Sequence, residues 1–398
     1  VAAGYYLKLV LNAASYVLII SAIPLAPIAE SKMLIPFLGL AFVFDALRQF
    51  GFAIAKAIEK TEIEAGVYIA HQIIGVVIGF IALTIWKTAF ALAVAYTIGG
   101  ALGFLVIVFT LRQYFRDISH YVRWDIVKKI FSDAWPFAFT GLTAVILTNT
   151  DTVMLGWFTS AEQIGYYSAA LRPIQFLFIV PAMLAAAALP VLARKAERRE
   201  GQNATEKLLA AVNLIAFPIS IGGFLVPEIA INLLYGAEYA PATTPFRVLI
   251  WIIILNFPST IMGHAILAHN KQKETIRYFL AAAATNIALN YFLIPKWGIT
   301  GAAIATLFAQ SIAALGYYLV LRTVEPVHLF SNTKKVIAAS IVMAVGILFL
   351  QTLHLSLWVV LSAATILYAA TLIVSKEPLI GELRVLFTRQ GDDAPSTG

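Results

Sequence analysis

Residues 88–111 read TAFALAVAYTIGGALGFLVIVFTL. No charge falls within them, yet Lys87 stands immediately before and Arg112 immediately after. A helix rising 1.5 Å per residue needs roughly 20 apolar residues to cross a hydrocarbon core, so this segment is long enough to span one. The same criterion selects about eleven further segments, near 5–28, 33–56, 64–86, 135–158, 164–192, 207–226, 243–268, 276–294, 299–321, 333–352 and 355–375. Pro24, Pro181, Pro218 and Pro258 fall inside several of them and predict kinks, which neighbouring helices tolerate. Composition agrees. The 398 residues are 61% hydrophobic and 12% charged, against about 45–50% and about 25% in ordinary globular chains. A soluble core could not hide that apolar surface. The predicted fold is an all-α polytopic membrane protein of about twelve transmembrane helices.

The connections alternate in charge. One set carries Arg48, Lys56 and Lys60; Arg112, Arg116, Arg123, Lys128 and Lys129; Arg194, Lys195, Arg198 and Arg199; Lys271, Lys273 and Arg277; Arg322, Lys334 and Lys335; then Lys376, Arg384 and Arg389. The other set holds little more than Lys32, Lys87 and Lys296 beside Glu30, Glu162 and Glu238. The positive-inside rule puts the basic set, and both ends of this chain, in the cytoplasm of a cell (plasma or inner) membrane. The net charge of +7 is thereby an orientation signal and not a nucleic-acid footprint. The longest connection, 112–134, interleaves Tyr114, Phe115, Tyr121 and Trp124 with basic residues and predicts an amphipathic cytoplasmic linker on the inner face. It separates residues 1–111, about four helices, from 135–375, about eight, with a polar cytoplasmic tail at 376–398. Val1 opens inside an apolar stretch without a signal-peptide pattern, so the chain is expected to lack its true start.

Cysteine is absent, which excludes disulfides, Cys-ligated metals and thiol catalysis. There is no metal-ligand spacing, no glycine-rich phosphate loop and no Asp-x-Asp, so no cofactor, metal site or catalytic residue is expected. The sequon Asn203-Ala-Thr205 falls in a basic connection, where glycosylation is not expected.

Several stretches have a common resemblance: Asp151-Thr-Val-Met-Leu-Gly-Trp-Phe, Ile164-Gly-Tyr-Tyr-Ser-Ala-Ala-Leu-Arg172, Leu189-Pro190, Leu234-Tyr-Gly-Ala-Glu-Tyr239, Asn270-Lys-Gln-Lys273, Ile294-Pro295 and Gly298-Ile-Thr-Gly-Ala-Ala-Ile-Ala-Thr306. In order and spacing they resemble the polysaccharide flippases, exporters of lipid-linked O-antigen and related repeat units, within the multidrug/oligosaccharidyl-lipid/polysaccharide exporter superfamily. The resemblance implies fourteen helices in two pseudo-symmetric lobes, of which the first two helices are missing here. It also implies a transporter that moves a polyprenyl-linked (pyro)phosphate saccharide across the membrane, with lipid-linked saccharide and membrane lipids as partners.

Ionisable groups at membrane depth are functional candidates by default. Asp151 lies about seven residues from the outer end of its segment and Arg172 about eight from the outer end of the next, so both sit roughly 10–12 Å deep. They could pair as a structural bridge; alternatively they form a charge switch in the outward gate, or Arg172 contacts phosphate through its two-pronged guanidinium. Asp45 and Arg48 share a helix face. Either they form a local pair with Arg48 snorkelling toward the surface, or Arg48 meets a pyrophosphate in a cavity. Asp45 and Asp151 are the candidate carriers for H⁺ or Na⁺ coupling. Asn149, Asn256, Asn286 and Asn290 serve equally as interhelical hydrogen-bond donors or as a sugar-binding lining. His71 and His264 read as interfacial.

Two other functions compete. A cation-coupled multidrug exporter of the same superfamily would need acidic cavity residues, whereas two aspartates here are matched by two arginines. A membrane-embedded polysaccharide polymerase or ligase would need a sizeable outer loop with paired catalytic residues, and the outer loops are short.

Overall fold

The computed structural model describes residues 2–26, 28–115, 124–197, 201–329, 333–353 and 357–375. All regular structure among them is helical. The middle of the expected amphipathic linker, 116–123, and the tail at 376–398 lie outside the described residues. The chain divides into two compact units, Val1–Leu147 and Thr148–Gly398.

The first unit contains α1 (Ala2–Ser21), α2 (Ala29–Ala57), α3 (Thr61–Trp86), α4 (Ala89–Thr110), the short α5 (Arg112–Phe115) and the first part of α6 (Trp124–Phe158). Local signals set the boundaries. Pro24 falls in a 3₁₀ turn, Ile23–Leu25, so the first helix ends at Ser21 and not near residue 28. Thr88 caps α4, its hydroxyl accepting from the Ala91 amide at 3.2 Å. α2 packs on α1, α3 and α4, and α3 on α4. The contact is close because the facing residues are small. A Cβ at Gly51 would lie 2.5 Å from Ile107 Cγ1, and Gly99, Gly100 and Gly103 are buried along α4. In lipid no hydrophobic force draws helices together, so such close approach supplies much of the attraction.

The second unit contains the rest of α6, α7 (Ala161–Leu177), α8 (Ile179–Glu197), α9 (Gly201–Leu225), α10 (Pro227–Tyr235), α11 (Thr243–Leu249), α12 (Ile252–Ala268), α13 (Ile276–Leu321), α14 (Lys334–Thr352) and α15 (Leu357–Val374). Ser160 caps α7 and Pro227 occupies the first turn of α10. The segment 164–192 breaks at Phe178, four residues after Ile174 and three before Pro181. The segment 243–268 is bent by 49° between α11 and α12.

α13 is two arms and not one rod. Gly298 has φ 55° and ψ −133°, outside any helix. The arms then run back along each other: a Cβ on Gly301 would collide with the Leu293 carbonyl, and one on Gly316 with Tyr278 Cβ. The arms coincide with the two predicted segments 276–294 and 299–321, and every other predicted segment overlaps a helix or a helix pair.

Among the described residues, eight helical stretches are long and apolar enough to cross a membrane, or nine with the bent pair. Large apolar side chains stay uncovered, such as Phe80 at 71% and Phe176 at 74% exposure. In water such a surface would drive aggregation; acyl chains cover it without cost. The chain is a multi-pass membrane protein.

Candidate functional site

Asp151 sits on α6 seven residues before its end at Phe158, about 10 Å along the helix axis. It is 8% exposed. A carboxylate at that depth needs a counterion or a full set of donors. The second unit provides donors. Oδ1 accepts from Asn286 Nδ2 at 2.8 Å and from Asn290 Nδ2 at 2.7 Å. Oδ2 accepts from the Tyr167 hydroxyl at 3.0 Å and the Thr306 hydroxyl at 2.5 Å. The donors are also linked to one another. Asn290 Nδ2 reaches Asn286 Oδ1 at 3.0 Å, Tyr167 and Thr306 oxygens lie 3.1 Å apart, and Thr306 can donate to the Ala302 carbonyl at 2.9 Å.

The hairpin builds this cluster. Asn290 and Thr306 lie eight residues to either side of Gly298, so folding at the glycine brings them level on adjacent arms. Asn286, one turn earlier, shares the face of Asn290. Tyr167 enters from α7, fully buried. All four donors to Asp151 are neutral. One acceptor is left over: Asn290 Oδ1 is buried without a hydrogen-bond partner. Turning that amide about χ2 would exchange its nitrogen for this oxygen. An amide oxygen would then stand beside the carboxylate, and carboxylate, amide and hydroxyl oxygens are the donor types a hard cation takes.

Arg172 is not part of the cluster. Its side chain is exposed, and among the described residues it pairs with no acid. The Asp151–Arg172 bridge, one of the alternatives the sequence left open, is therefore absent: the two residues match in depth, but Asp151 is buried and Arg172 exposed. Asn149, two residues before Asp151, is exposed on α6, and Asn256 is half-buried on α12 with its Oδ1 unpartnered. The structure gathers neither into the Asp151 cluster. Tyr167 and Thr306 were not among the sequence candidates, although both stand in the stretches that carry the family resemblance.

Asp45 and Arg48 meet in the first unit, Arg48 Nη2 donating to Asp45 Oδ1 across one turn of α2. Arg48 does not snorkel. It is 3% exposed, its guanidinium carbon lies 5.5 Å from the Phe52 ring centre, and Nε and Nη1 are buried without partners. Its neighbour is His71, whose Nδ1 lies 3.2 Å from the Gly99 carbonyl oxygen. A Cβ on Gly103 would stand 2.6 Å from that nitrogen and 3.3 Å from Arg48 Nη1. His71 is thus an interhelical residue and not an interfacial one. His264 Nδ1 lies 3.0 Å from the Thr260 carbonyl of its own helix.

Comparison with known proteins agrees with this architecture. Over 177 residues the chain is 25% identical to a protein named as a probable flippase, AglR of Haloferax volcanii, covering 42% of this chain and 36% of that one. Over 201 residues it is 26% identical to a candidate O-antigen transporter of Shigella flexneri, covering 47% and 48%. It therefore spans about half the length, or less, of these relatives. Among solved structures it superposes on the lipid II flippase MurJ in an inward closed conformation, with a TM-score of 0.79 and 16% identity over 95% of this chain and 84% of that one, a likeness of fold. The sequence family described as polysaccharide biosynthesis protein matches residues 3–244, more than half of the chain, and the chain belongs to that family.

Proposed function

We propose that the protein flips a polyprenyl-linked (pyro)phosphate saccharide from the cytoplasmic to the outer leaflet of the cell membrane, by alternating access, for cell-surface polysaccharide or glycoprotein glycan assembly. The observation that carries the mechanism is the Asp151 centre: a buried carboxylate inside a membrane bundle, held by neutral donors, with an orphaned oxygen beside it. Such a group binds a proton or a sodium ion at small structural cost, and its two states bias the surrounding helices differently. Asp151 is the leading coupling residue, and Asp45, tied to Arg48, is the second. Asn286 and Asn290 serve the ion more directly than the sugar.

The substrate needs three environments. Its phosphate needs cations, which Arg48 and Arg172 would supply. Its glycan needs polar lining, for which Asn149 and Asn256 are candidates. Its tail needs an apolar seat, and the second unit has a cavity of about 570 Å³ lined by Leu214, Pro218, Met343, Ile347, Leu361 and Tyr368 among others. The alternation of basic and nearly uncharged connections supports a cytoplasmic location for both ends of this chain.

Deletion of the gene in its host tests this. Intact and opened spheroplasts are treated with an impermeant glycan-cleaving enzyme. Glycolipid should accumulate on the cytoplasmic side and return to the outer leaflet when the full-length gene is restored. Unchanged sidedness, with a gain in sensitivity to cationic dyes, would replace the flippase by a drug exporter.

A further inference from the structure

Three tyrosines gather at the end of the second unit where α7 begins and α10 stops. The rings of Tyr166 and Tyr239 meet edge to face with centroids 5.7 Å apart, and those of Tyr239 and Tyr235 lie 5.2 Å apart. Local structure assembles them. Gly236, with φ 88°, ends α10, and the 3₁₀ turn Ala237–Ala242 brings Tyr239 back beside Tyr235. Tyr166 is oriented by its hydroxyl, which donates to Glu162 Oε1 at 2.6 Å.

The same turn walls a cavity of about 200 Å³, lined by Glu228, Asn232 and Thr243 together with Ile231, Gly236 and the alanines of the turn. Glu228 is held at 2.7 Å by Arg247 Nη2, while Arg247 Nε is buried without a partner. The cavity is smaller than the roughly 300–1,000 Å³ of drug-sized sites and suits a single ring. Tyrosines of a simple interfacial belt present their apolar bodies to lipid. Here Tyr166 and Tyr239 pack on the unit's core, and the cavity beside their turn sets a carboxylate and an amide into a mainly apolar wall.

A sugar ring is amphipathic in the matching way. One face is a sheet of C–H groups, which an aromatic face attracts through its negative quadrupole. Its hydroxyls bond to carboxylate, amide and guanidinium groups. We propose that Tyr166, Tyr235 and Tyr239, with Glu228, Asn232 and Arg247, form a saccharide-binding site that holds the glycan headgroup at the leaflet where it is released. The site rests on the flippase function proposed above and adds to it a place where the glycan alone, without phosphate or lipid, is bound.

The probe is the repeat oligosaccharide hydrolysed from the host's envelope polysaccharide and freed of phosphate. Binding to the full chain in lipid nanodiscs is read by saturation-transfer NMR and titration, with leaflet sidedness measured in cells for every variant. Tyr235 is 37% exposed, so its replacement leaves the core untouched. Tyr235→Phe keeps the ring and should bind as wild type does. Tyr235→Leu should weaken binding about five- to tenfold, the scale of one aromatic contact, and Asn232→Ala should do likewise. Oligosaccharide that binds with equal affinity to wild type and Tyr235→Leu overturns the site. So does an absence of binding while cellular flipping proceeds, and in that case the flippase function stands. Absence of both binding and flipping removes the site together with the function on which it rests.

Discussion

Replacing Asp151 by Asn changes one atom's chemistry and little of its geometry. The amide oxygen can keep accepting from Asn286 and Asn290, now at the Oδ1 position. The new NH₂ replaces an acceptor that faced two hydroxyls, and hydroxyls accept as readily as they donate. Tyr167 and Thr306 need only rotate, and Thr306 already has the Ala302 carbonyl within 2.9 Å. The fold should lose no more than about 1 kcal/mol, the net worth of an ordinary hydrogen bond. Asp151→Leu is harsher. Asn290 can still donate to Asn286 and Tyr167 to Thr306, but Asn286 Nδ2 is left without a partner, a cost of about 1–3 kcal/mol. Both variants should therefore fold, while neither holds a cation. A cation at one hundred times its dissociation constant stabilises the state that binds it by about 2.7 kcal/mol, and it biases that conformation by about one hundredfold. The assay is thermal unfolding of purified protein in sodium against choline chloride across a pH series, beside flipping in cells. Wild type should gain stability with one of the two cations, Na⁺ or H⁺, and thereby name it. Asp151→Asn should show no response and lose flipping on the order of a hundredfold. An Asp151→Asn protein that flips at the wild-type rate and keeps the wild-type ion response would refute the assignment.

Other predictions concern the hairpin and the arginines. Gly298→Ala puts a Cβ on a residue with φ 55° and ψ −133° and should cost about 1–3 kcal/mol, read as a lower unfolding temperature. Gly316→Val drives a branched side chain into Tyr278, with a cost of about 1–3 kcal/mol or more and reduced membrane abundance. Gly103→Val presses on His71 and Arg48 in the first unit and should impair flipping while leaving the Asp151 ion response intact. Arg172→Ala touches no partner among the described residues, so it should leave thermal stability unchanged and lower only the apparent affinity for lipid-linked pyrophosphate in the flipping assay.

Helix positions were legible because 20-residue apolar runs bounded by charge have few alternative explanations in a bilayer. Asp151, Asn286 and Asn290 were legible because polar groups at depth are rare enough to stand out. The error lay in the angle about the helix axis. Counting residues gives Asp151 and Arg172 the same depth, but each residue turns the side chain by about 100°, and nothing local to either helix says which way it faces. Thr306 was hidden for a different reason. Threonine is common in membrane helices, commonly bonded to its own backbone, and becomes a partner of Asp151 only through the hairpin. Gly298 and the equal spacing of Asn290 and Thr306 about it were visible; the direction of the fold at Gly298 was not. In the first unit Arg48 looked free to snorkel, and what detains it is the glycine-lined face of α4, a neighbour distant in sequence.

The span between Asp151 and its donors also sets an order of assembly. Asn286, Asn290 and Thr306 follow it by 135, 139 and 155 residues. At roughly 5–20 residues per second, a ribosome needs about 7–30 s to supply the first of them. During that interval α6 enters the membrane with a carboxyl group whose only available neighbour is Tyr167. An acid opposes insertion by about 2.5–3.5 kcal/mol at a helix centre and by less toward the end, so the early chain holds that group close to the headgroups. Arrival of the α13 hairpin ends the delay by delivering both arms of donors together. Nascent chains stopped before residue 286 should be the ones quality control removes, and those stopped after 321 the ones it spares.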